Sequence, residues 1–273
     1  GYYSEVTNWF GRLCSLNYLL SHSHGLLVFY DACKHVALLA LTLIAATPSL
    51  ADMQPIDGFA IDRTEVTVVH FRMFVDATGY TTAAEKNGGG LVYSAGWEKM
   101  DGWIWSAPFG TAAQSHEPAV HVTFDDASAY CSWAGKRLPK DSEWAKAAFI
   151  EFRSNPTPPF VTGVTYPYPT GDSPKGANCL EDCGPTPAID YSARLNRGIG
   201  HALAGTTKAG VNGLFDMGAN VWEWTEDGGE SEKRTRGGSW WYDSFRMRAD
   251  DSATKPKDMA VVYIGFRCVK DLG

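Results

Sequence analysis

Three stretches of the chain carry apolar residues at the spacing of a helix that buries one face. The first follows Thr67, a predicted N-cap, and ends before Gly79, a residue type common at helix ends. Its buried face is predicted to consist of Val68, Phe71, Phe74 and Val75. The second spans Thr123–Ala134, and the third begins at the capping candidates Asp141 and Ser142. The pattern therefore predicts three short amphipathic helices.

Between and after these helices, apolar residues occur in short pieces, which are typical of strands in a loop-rich protein. One strand is predicted at Phe59–Ile61, before the first helix. Further strand-like pieces lie at 213–217, 220–227, 236–241 and 264–269. Residues 81–118 contain glycine clusters, and 154–212 are rich in proline and glycine, so both are predicted to be irregular. With no internal repeat in the sequence, we expect one domain over 52–273.

The N-terminal part of the chain has the pattern of an export signal. Residues 36–46 read VALLALTLIAA, an apolar run that is short for crossing a bilayer. Ser49 and Ala51 occupy the positions of small residues before a signal cleavage site. We expect 1–51 to be an extension plus signal peptide cleaved near Ala51; the alternative is a buried helix. Cleavage predicts a secreted or periplasmic protein without stable membrane insertion.

Charge and cysteine content narrow the possible partners. The 273 residues carry a formal net charge of −7 and no run of lysine or arginine, which argues against nucleic-acid binding. Export would expose four cysteines to an oxidising compartment, where an even number usually forms disulfides. They are Cys131, Cys179, Cys183 and Cys268. Four cysteines allow three pairings, and their spacing alone does not choose among them.

Five segments carry distinctive motifs, one of which, at 213–224, reads GLFDMGANVWEW. In order, the segments are 62–67 with 74–80, 118–144, 174–179, 213–224, and 236–240 with 265–268. Taken together and in this order, they resemble the formylglycine-generating enzyme, or sulfatase-modifying factor, family. The resemblance implies an irregular α+β fold related to C-type lectins, with little regular secondary structure. The family's glycine-rich opening motif is missing before Gly58, and Ala219 stands where the family usually has glycine.

The resemblance also implies how the cysteines pair. In the enzyme branch, the cysteines that correspond to Cys131 and Cys268 form a disulfide, although two buried free thiols are the alternative here. The remaining Cys179 and Cys183 lie in NCLEDCG, which suits a local disulfide or a thiol–metal pair. The histidines available as further metal ligands are scattered, so the local disulfide is favoured.

Structural calcium is the cofactor that the resemblance implies. One ion would be held by Asp216, Ala219, Val221 and Glu223, which combine carboxylates and backbone carbonyls, the oxygen ligands that calcium prefers. The alternative is that Asp216 caps a turn and Glu223 is a solvated strand residue. A second ion would use Asn178 and the carbonyl of Cys179. Its downstream aspartate is either Asp182 or Asp190.

Copper is not expected, in spite of the resemblance. The oxidase branch binds copper(I) through two cysteines between Gly-Gly-Ser and Arg-x-Arg, since thiolates suit this soft ion. Here the corresponding positions fall on Tyr242 and Ser244, and the connecting loop is shorter. Formylglycine generation is therefore not predicted for this chain.

Two functions remain open for a family member without the cysteine pair. One is an enzyme of oxidative maturation, similar to family members needed for pyoverdine chromophore formation. The other is a non-catalytic C-type-lectin-like binding protein, similar to the variable proteins of diversity-generating retroelements. Either function predicts a small-molecule, peptide or glycan ligand. The predicted pocket residues are Trp222, Ser239, Trp240, Trp241, Tyr242, Arg246 and Arg248. Because Trp222 and Trp224 alternate along a strand, one of them is expected in the core whatever the function.

Overall fold

Three of the four helices occur where the apolar pattern places them in the computed structural model, which describes residues 52–273. They are α1 (Val68–Thr78), α2 (Ala83–Lys86), α3 (Phe124–Trp133) and α4 (Asp141–Phe149). Gly79 ends α1 in the left-handed conformation, φ 68°, and its N–H donates to the carbonyl of Val75 at 2.8 Å. The predicted extension and signal peptide, 1–51, lies outside the described residues.

The helix caps differ in part from the prediction. Thr123, which was predicted to be part of the second helix, is the N-cap of α3: its hydroxyl accepts from Asp126 N–H while the Asp126 carboxylate accepts from Thr123 N–H. Thr67 is the N-cap of α1 by position, but its hydroxyl lies 3.0 Å from His70 Nδ1 and makes no capping bond. The N-cap of α4 is Lys140, so both capping candidates for this helix were wrong.

Nine short strands form three sheets within residues 52–273. They are β1 (Met53–Pro55), β2 (Phe59–Asp62), β3 (Gly89–Tyr93), β4 (Trp97–Asp101), β5 (Trp222–Gly228), β6 (Glu232–Arg236), β7 (Ala253–Pro256), β8 (Ile264–Gly265) and β9 (Val269–Asp271). One sheet has the order β1-β2-β9, and β3 pairs with β4. The largest sheet has the order β7-β6-β5-β8, in which β5 and β8 run parallel. The strand order brings the C-terminal part of the chain against its first strands.

Three predictions of irregular structure or strand need correction. Residues 81–118 contain α2 and the β3–β4 hairpin, so this region is not wholly irregular. Residues 213–217 form no strand, because the chain there leaves a 3-10 turn, Val211–Gly213, and enters a tight loop. The segment at 264–269 is divided into β8 and β9 rather than forming one strand.

Aromatic side chains fill the main core, as the shortage of long helices requires. Phe71 on α1 stacks on Tyr130 of α3, with ring centroids 5.7 Å apart, and also contacts Phe266. Trp222 and Trp224 lie two positions apart on the same face of β5, and both are buried. Glu223 and Thr225 on the opposite face are buried too, so this strand is covered on both faces. The described residues belong to one compact unit, and none of their helices is long and apolar enough to cross a membrane.

Candidate functional site

The loop before β5 has an unusual backbone conformation. Asp216, Ala219 and Asn220 all adopt left-handed conformations, with φ values of 60°, 60° and 55°. Non-glycine residues pay a steric cost there, so such a cluster persists only where surrounding contacts hold it. Ala219 occupies the position at which the family usually has glycine, and its side chain is fully buried. Ala219 is therefore held in a conformation that glycine would adopt more easily.

Asn220 connects this loop to distant parts of the chain. Its amide nitrogen donates to Glu65 Oε2 at 2.8 Å, and its amide oxygen accepts from the Ala202 N–H at 2.8 Å. The same oxygen accepts from the side chain of Asn178 at 3.0 Å. Glu65 also accepts from the N–H of Val221 at 3.2 Å. Sequence reasoning did not assign Glu65 to the site, although it lies inside a matching segment, DRTEVT.

Three buried carboxylates, those of Glu65, Asp216 and Glu223, surround the loop with one buried guanidinium, that of Arg267. Arg267 holds both oxygens of Glu223, at 2.7 Å each, and Trp144 Nε1 donates to Glu223 at 2.7 Å. Burial raises the pKa of Glu65 well above its ordinary value, and the neighbouring carboxylates of Asp216 and Glu223 raise it further. Burial likewise raises the pKa of Asp216. When all three carboxyl groups are ionised, their negative charge exceeds the single positive charge of Arg267.

This excess negative charge fits the implied calcium ion in part. Asp216 offers a carboxylate that already accepts from Gly205 N–H and the Thr207 hydroxyl, at 2.6 and 2.5 Å. Glu223, by contrast, is committed to Arg267 and Trp144. Within residues 52–273 the three carboxylates do not all lie within 4.8 Å of one another, so carbonyls of the loop would have to complete a calcium shell. Asp216 and the carbonyls of Ala219 and Val221 therefore remain the predicted ligands of this ion.

The second implied calcium site receives less support. The side-chain oxygen of Asn178 accepts from the Thr186 hydroxyl at 2.8 Å. Cys179 lies next to it, but Asp182 is hydrogen-bonded to Ser244 instead. Asp190 caps its own turn by accepting from Ser192. Within the described residues, neither Asp182 nor Asp190 forms a hydrogen bond with Asn178.

Both favoured disulfides are present. Cys131 of α3 is bonded to Cys268, which joins β8 to β9, and their Cα atoms lie 5.7 Å apart. Cys179 is bonded to Cys183, with Cα atoms 5.8 Å apart. All four cysteines of residues 52–273 are therefore in disulfides. With Tyr242 and Ser244 in the corresponding positions, these residues do not supply the thiolate pair that copper(I) would need.

The predicted pocket divides into buried and exposed residues. The side chains of Trp222, Ser239, Trp240 and Trp241 are at most 3% exposed, so they belong to the core rather than to a rim. The bulky indoles turn inward because a helix-poor domain needs large apolar side chains to fill its interior. Tyr242 and Arg246 are half-buried, and Arg248 is exposed. Phe245, which sequence reasoning did not select, is 53% exposed.

Residues 239–248, called here the outer segment, extend along one side of an aromatic patch. Tyr242 lies 5.9 Å from Tyr263 between ring centroids, and Arg246 covers the Tyr242 ring at 5.7 Å. The chain after Ala260 runs parallel to β3 through a bridge between Leu91 and Val261, so Tyr93 comes alongside Tyr263. The β3–β4 hairpin, which was predicted to be irregular, thus contributes to this patch.

A buried acid–base group lies behind the patch. His201 Nε2 is 2.6 Å from the Glu117 carboxylate, and Tyr191 donates to the same carboxylate at 3.0 Å. Burial opposes ionisation, but the hydrogen bond and charge of His201 prevail and lower the pKa of Glu117. Phe109 stacks on Tyr191 with centroids 3.8 Å apart. Both partners of the pair are fully buried, so it connects two loops rather than facing solvent.

Comparisons with known proteins identify relatives of this chain. The sulfatase-modifying factor enzyme 1-like domain model matches residues 47–272. The chain is 29% identical to the formylglycine-generating enzyme of Thermomonospora curvata over 259 residues, covering 78% of this chain and 82% of that protein. It is 30% identical to the mouse inactive C-alpha-formylglycine-generating enzyme 2 over 245 residues, covering 79% and 76%.

Solved structures show the same fold at lower identity. PvdO from Pseudomonas aeruginosa matches with a TM-score of 0.52 and 19% identity, covering 78% of this chain and 80% of PvdO. Treponema denticola variable protein 1 matches with a TM-score of 0.51 and 14% identity, covering 82% and 92%. The mixed α+β fold with few helices is therefore shared with these proteins. On the family match over nearly the whole described region, the chain belongs to the FGE-sulfatase family of sulfatase-modifying factor enzyme 1-like domains.

Proposed function

We propose that this chain is an exported member of the family that acts in oxidative maturation, of the pyoverdine-maturation type, without generating formylglycine. The observation that carries the proposal is the replacement of the copper-binding pair by Tyr242 and Ser244. Both lie in an outer segment that is shorter than in the enzyme branch but still packs against the core, and the thiolates are lost. The two disulfides are compatible with an extracellular or periplasmic location.

A paired assay tests the two halves of this proposal, first that the chain does not generate formylglycine and second that it acts in oxidative maturation. We expect no aldehyde on a cysteine peptide of the sulfatase type when purified 52–273 is incubated with copper(I) and oxygen, because no thiolate pair is available. The enzyme from T. curvata serves as the positive control. We expect oxygen uptake with a reduced precursor of the pyoverdine chromophore class. Aldehyde formation would overturn the first half, and failure of oxygen uptake across such precursors would overturn the second.

Ligand binding without turnover is the second candidate function, and the exposed outer segment favours it. The segment exposes the aromatic ring of Phe245 and the guanidinium group of Arg248, and it carries the half-buried Arg246 between them. Exposed aromatic and arginine side chains are the residue types that dominate binding energy in recognition surfaces. Saturable binding to a glycan or peptide array with no oxygen uptake, abolished by Phe245→Ala, would select this function over the enzyme.

We further propose one structural calcium ion at Asp216, with carbonyls of Ala219 and Val221. Calcium binding would offset the uncompensated charge of the buried carboxylates, so it should stabilise the folded state alone. At a free calcium concentration 100-fold above the dissociation constant, the gain is about 2.7 kcal/mol. For a domain of this size that corresponds to a rise in melting temperature of about 5–10 °C, measured by calorimetry against a chelator.

Matched variants locate the ion. Asp216→Ala should abolish the calcium response, whereas Asp190→Ala, in an exposed turn, should leave it unchanged. Elemental analysis gives the stoichiometry independently of stability. Identical melting in calcium and in chelator, together with a metal-free protein, would rule out this ion.

A further inference from the structure

A small disulfide-closed ring, residues 179–183, lies against the outer segment. The backbone N–H of Leu180 donates to the carbonyl of Tyr242 at 3.0 Å. The carboxylate of Asp182 accepts two hydrogen bonds from Ser244, one from its N–H at 3.0 Å and one from its hydroxyl at 2.5 Å. Three hydrogen bonds therefore join the ring to the two positions at which the enzyme branch has its cysteines.

Apart from the disulfide, the ring is held by one backbone hydrogen bond, from the Gly176 N–H to the Cys183 carbonyl at 3.0 Å, and by the burial of Cys183. Glu181 and Asp182 are exposed, and Leu180 is half-buried, so its middle residues contribute little to a core. Cys183 is buried in a small cluster with Ala219 and with Met247, near the end of the outer segment. Because a short polar loop loses considerable conformational entropy on ordering, the disulfide is the feature that fixes the position of Asp182.

The two disulfides differ in their access to a reductant. Cys131 and Cys268 are both fully buried in the main core. Cys179 is only partly buried and lies in a surface ring that spans 4 positions of sequence. Thiol–disulfide exchange requires a thiolate to reach one sulfur atom, so a small dithiol should reduce the ring before it reduces the core disulfide.

We propose that the ring positions the outer segment and makes its order depend on the thiol redox state. A dithiol attacks Sγ of Cys179, the S–S bond breaks, and the Cys183 sulfur leaves and takes up a proton. The second thiol of the reductant then displaces the Cys179 thiol and closes the reductant's own disulfide. Two electrons and two protons pass to the protein, Asp182 loses its fixed position, and Ser244 is released.

The positioning role stands on the contacts alone, whereas its use in ligand recognition rests on the proposed function. The test therefore measures order rather than binding. Hydrogen exchange with mass spectrometry is followed in the full chain, oxidised and after limited dithiothreitol treatment. Alkylation and mass analysis confirm that only the ring disulfide is open. We expect exchange in 240–247 to become about tenfold faster, with α1 unchanged.

Variants distinguish the effect of the Asp182 hydrogen bonds from the effect of opening the disulfide. Asp182→Ala, with both disulfides intact, should give the same local increase in exchange, because it removes the acceptor for both Ser244 bonds. Glu181→Ala, the exposed acidic neighbour, is the matched control and should leave exchange unchanged. Unchanged exchange in 240–247 after ring opening or in Asp182→Ala would overturn the proposal. Equal acceleration in the two alanine variants would overturn it as well. Failure of the oxygen-uptake or ligand assays would affect only the proposed function.

Discussion

Replacing Arg267 by methionine is expected to lower the free energy of unfolding by about 3–5 kcal/mol, measured by urea denaturation. The guanidinium is fully buried and binds both oxygens of Glu223. It also donates to the carbonyls of Asp62 and Phe215, at 3.0 and 2.8 Å. Its removal leaves a buried carboxylate without its cation, beside two further carboxylates, and breaks contacts between segments far apart in the sequence.

Two further variants show whether this loss comes from the uncompensated charge. Adding Glu223→Gln to Arg267→Met should recover part of the stability, since the remaining polar group is then neutral. Arg248→Met breaks an exposed pair with Asp250 and should leave the free energy of unfolding almost unchanged, because water screens this pair. A loss below about 1 kcal/mol for Arg267→Met would show that the buried carboxylates are compensated by another route.

Local signals in the sequence were sufficient for three of the four helices, whereas α2 was missed. The end of α1 was predictable because the left-handed turn after it needs only what Gly79 itself provides. The N-cap of α4 was not, because Asp141 is taken by Arg236, at 2.7 Å, from a strand almost a hundred residues later. Non-local ion pairs of this kind leave no periodic trace in the sequence.

The site shows the same division between local and non-local information. The motif around Asp216 and Glu223 located the buried loop, but the part played by Glu65 depends on Asn220, 155 positions away. The tryptophans at 240 and 241 were placed on a rim because an irregular segment has no period that distinguishes its inner face from its outer one. The exposure of Phe245 could be found only from the folded chain.

Loss of the Cys131–Cys268 disulfide is the other change expected to have a large effect. The bond closes a loop with a sequence separation of 137, for which the chain-entropy model gives about 5 kcal/mol of stabilisation. The Cys179–Cys183 ring spans 4 positions and should contribute about 2 kcal/mol by the same relation. We therefore expect the variant with Cys131→Ala and Cys268→Ala to melt at a much lower temperature than the variant with Cys179→Ala and Cys183→Ala.

The comparison between the two variants tests the origin of the stabilisation. If restriction of the unfolded chain dominates, loss of the Cys131–Cys268 disulfide must lower the stability more than loss of the Cys179–Cys183 disulfide, in both calorimetry and urea unfolding. Equal losses would mean instead that local packing around each sulfur pair decides, since both Cys183 and Cys268 are buried. The ring variant should also leave the core folded, because its disulfide ties down a surface loop and the long-range bond joins α3 to the C-terminal strands.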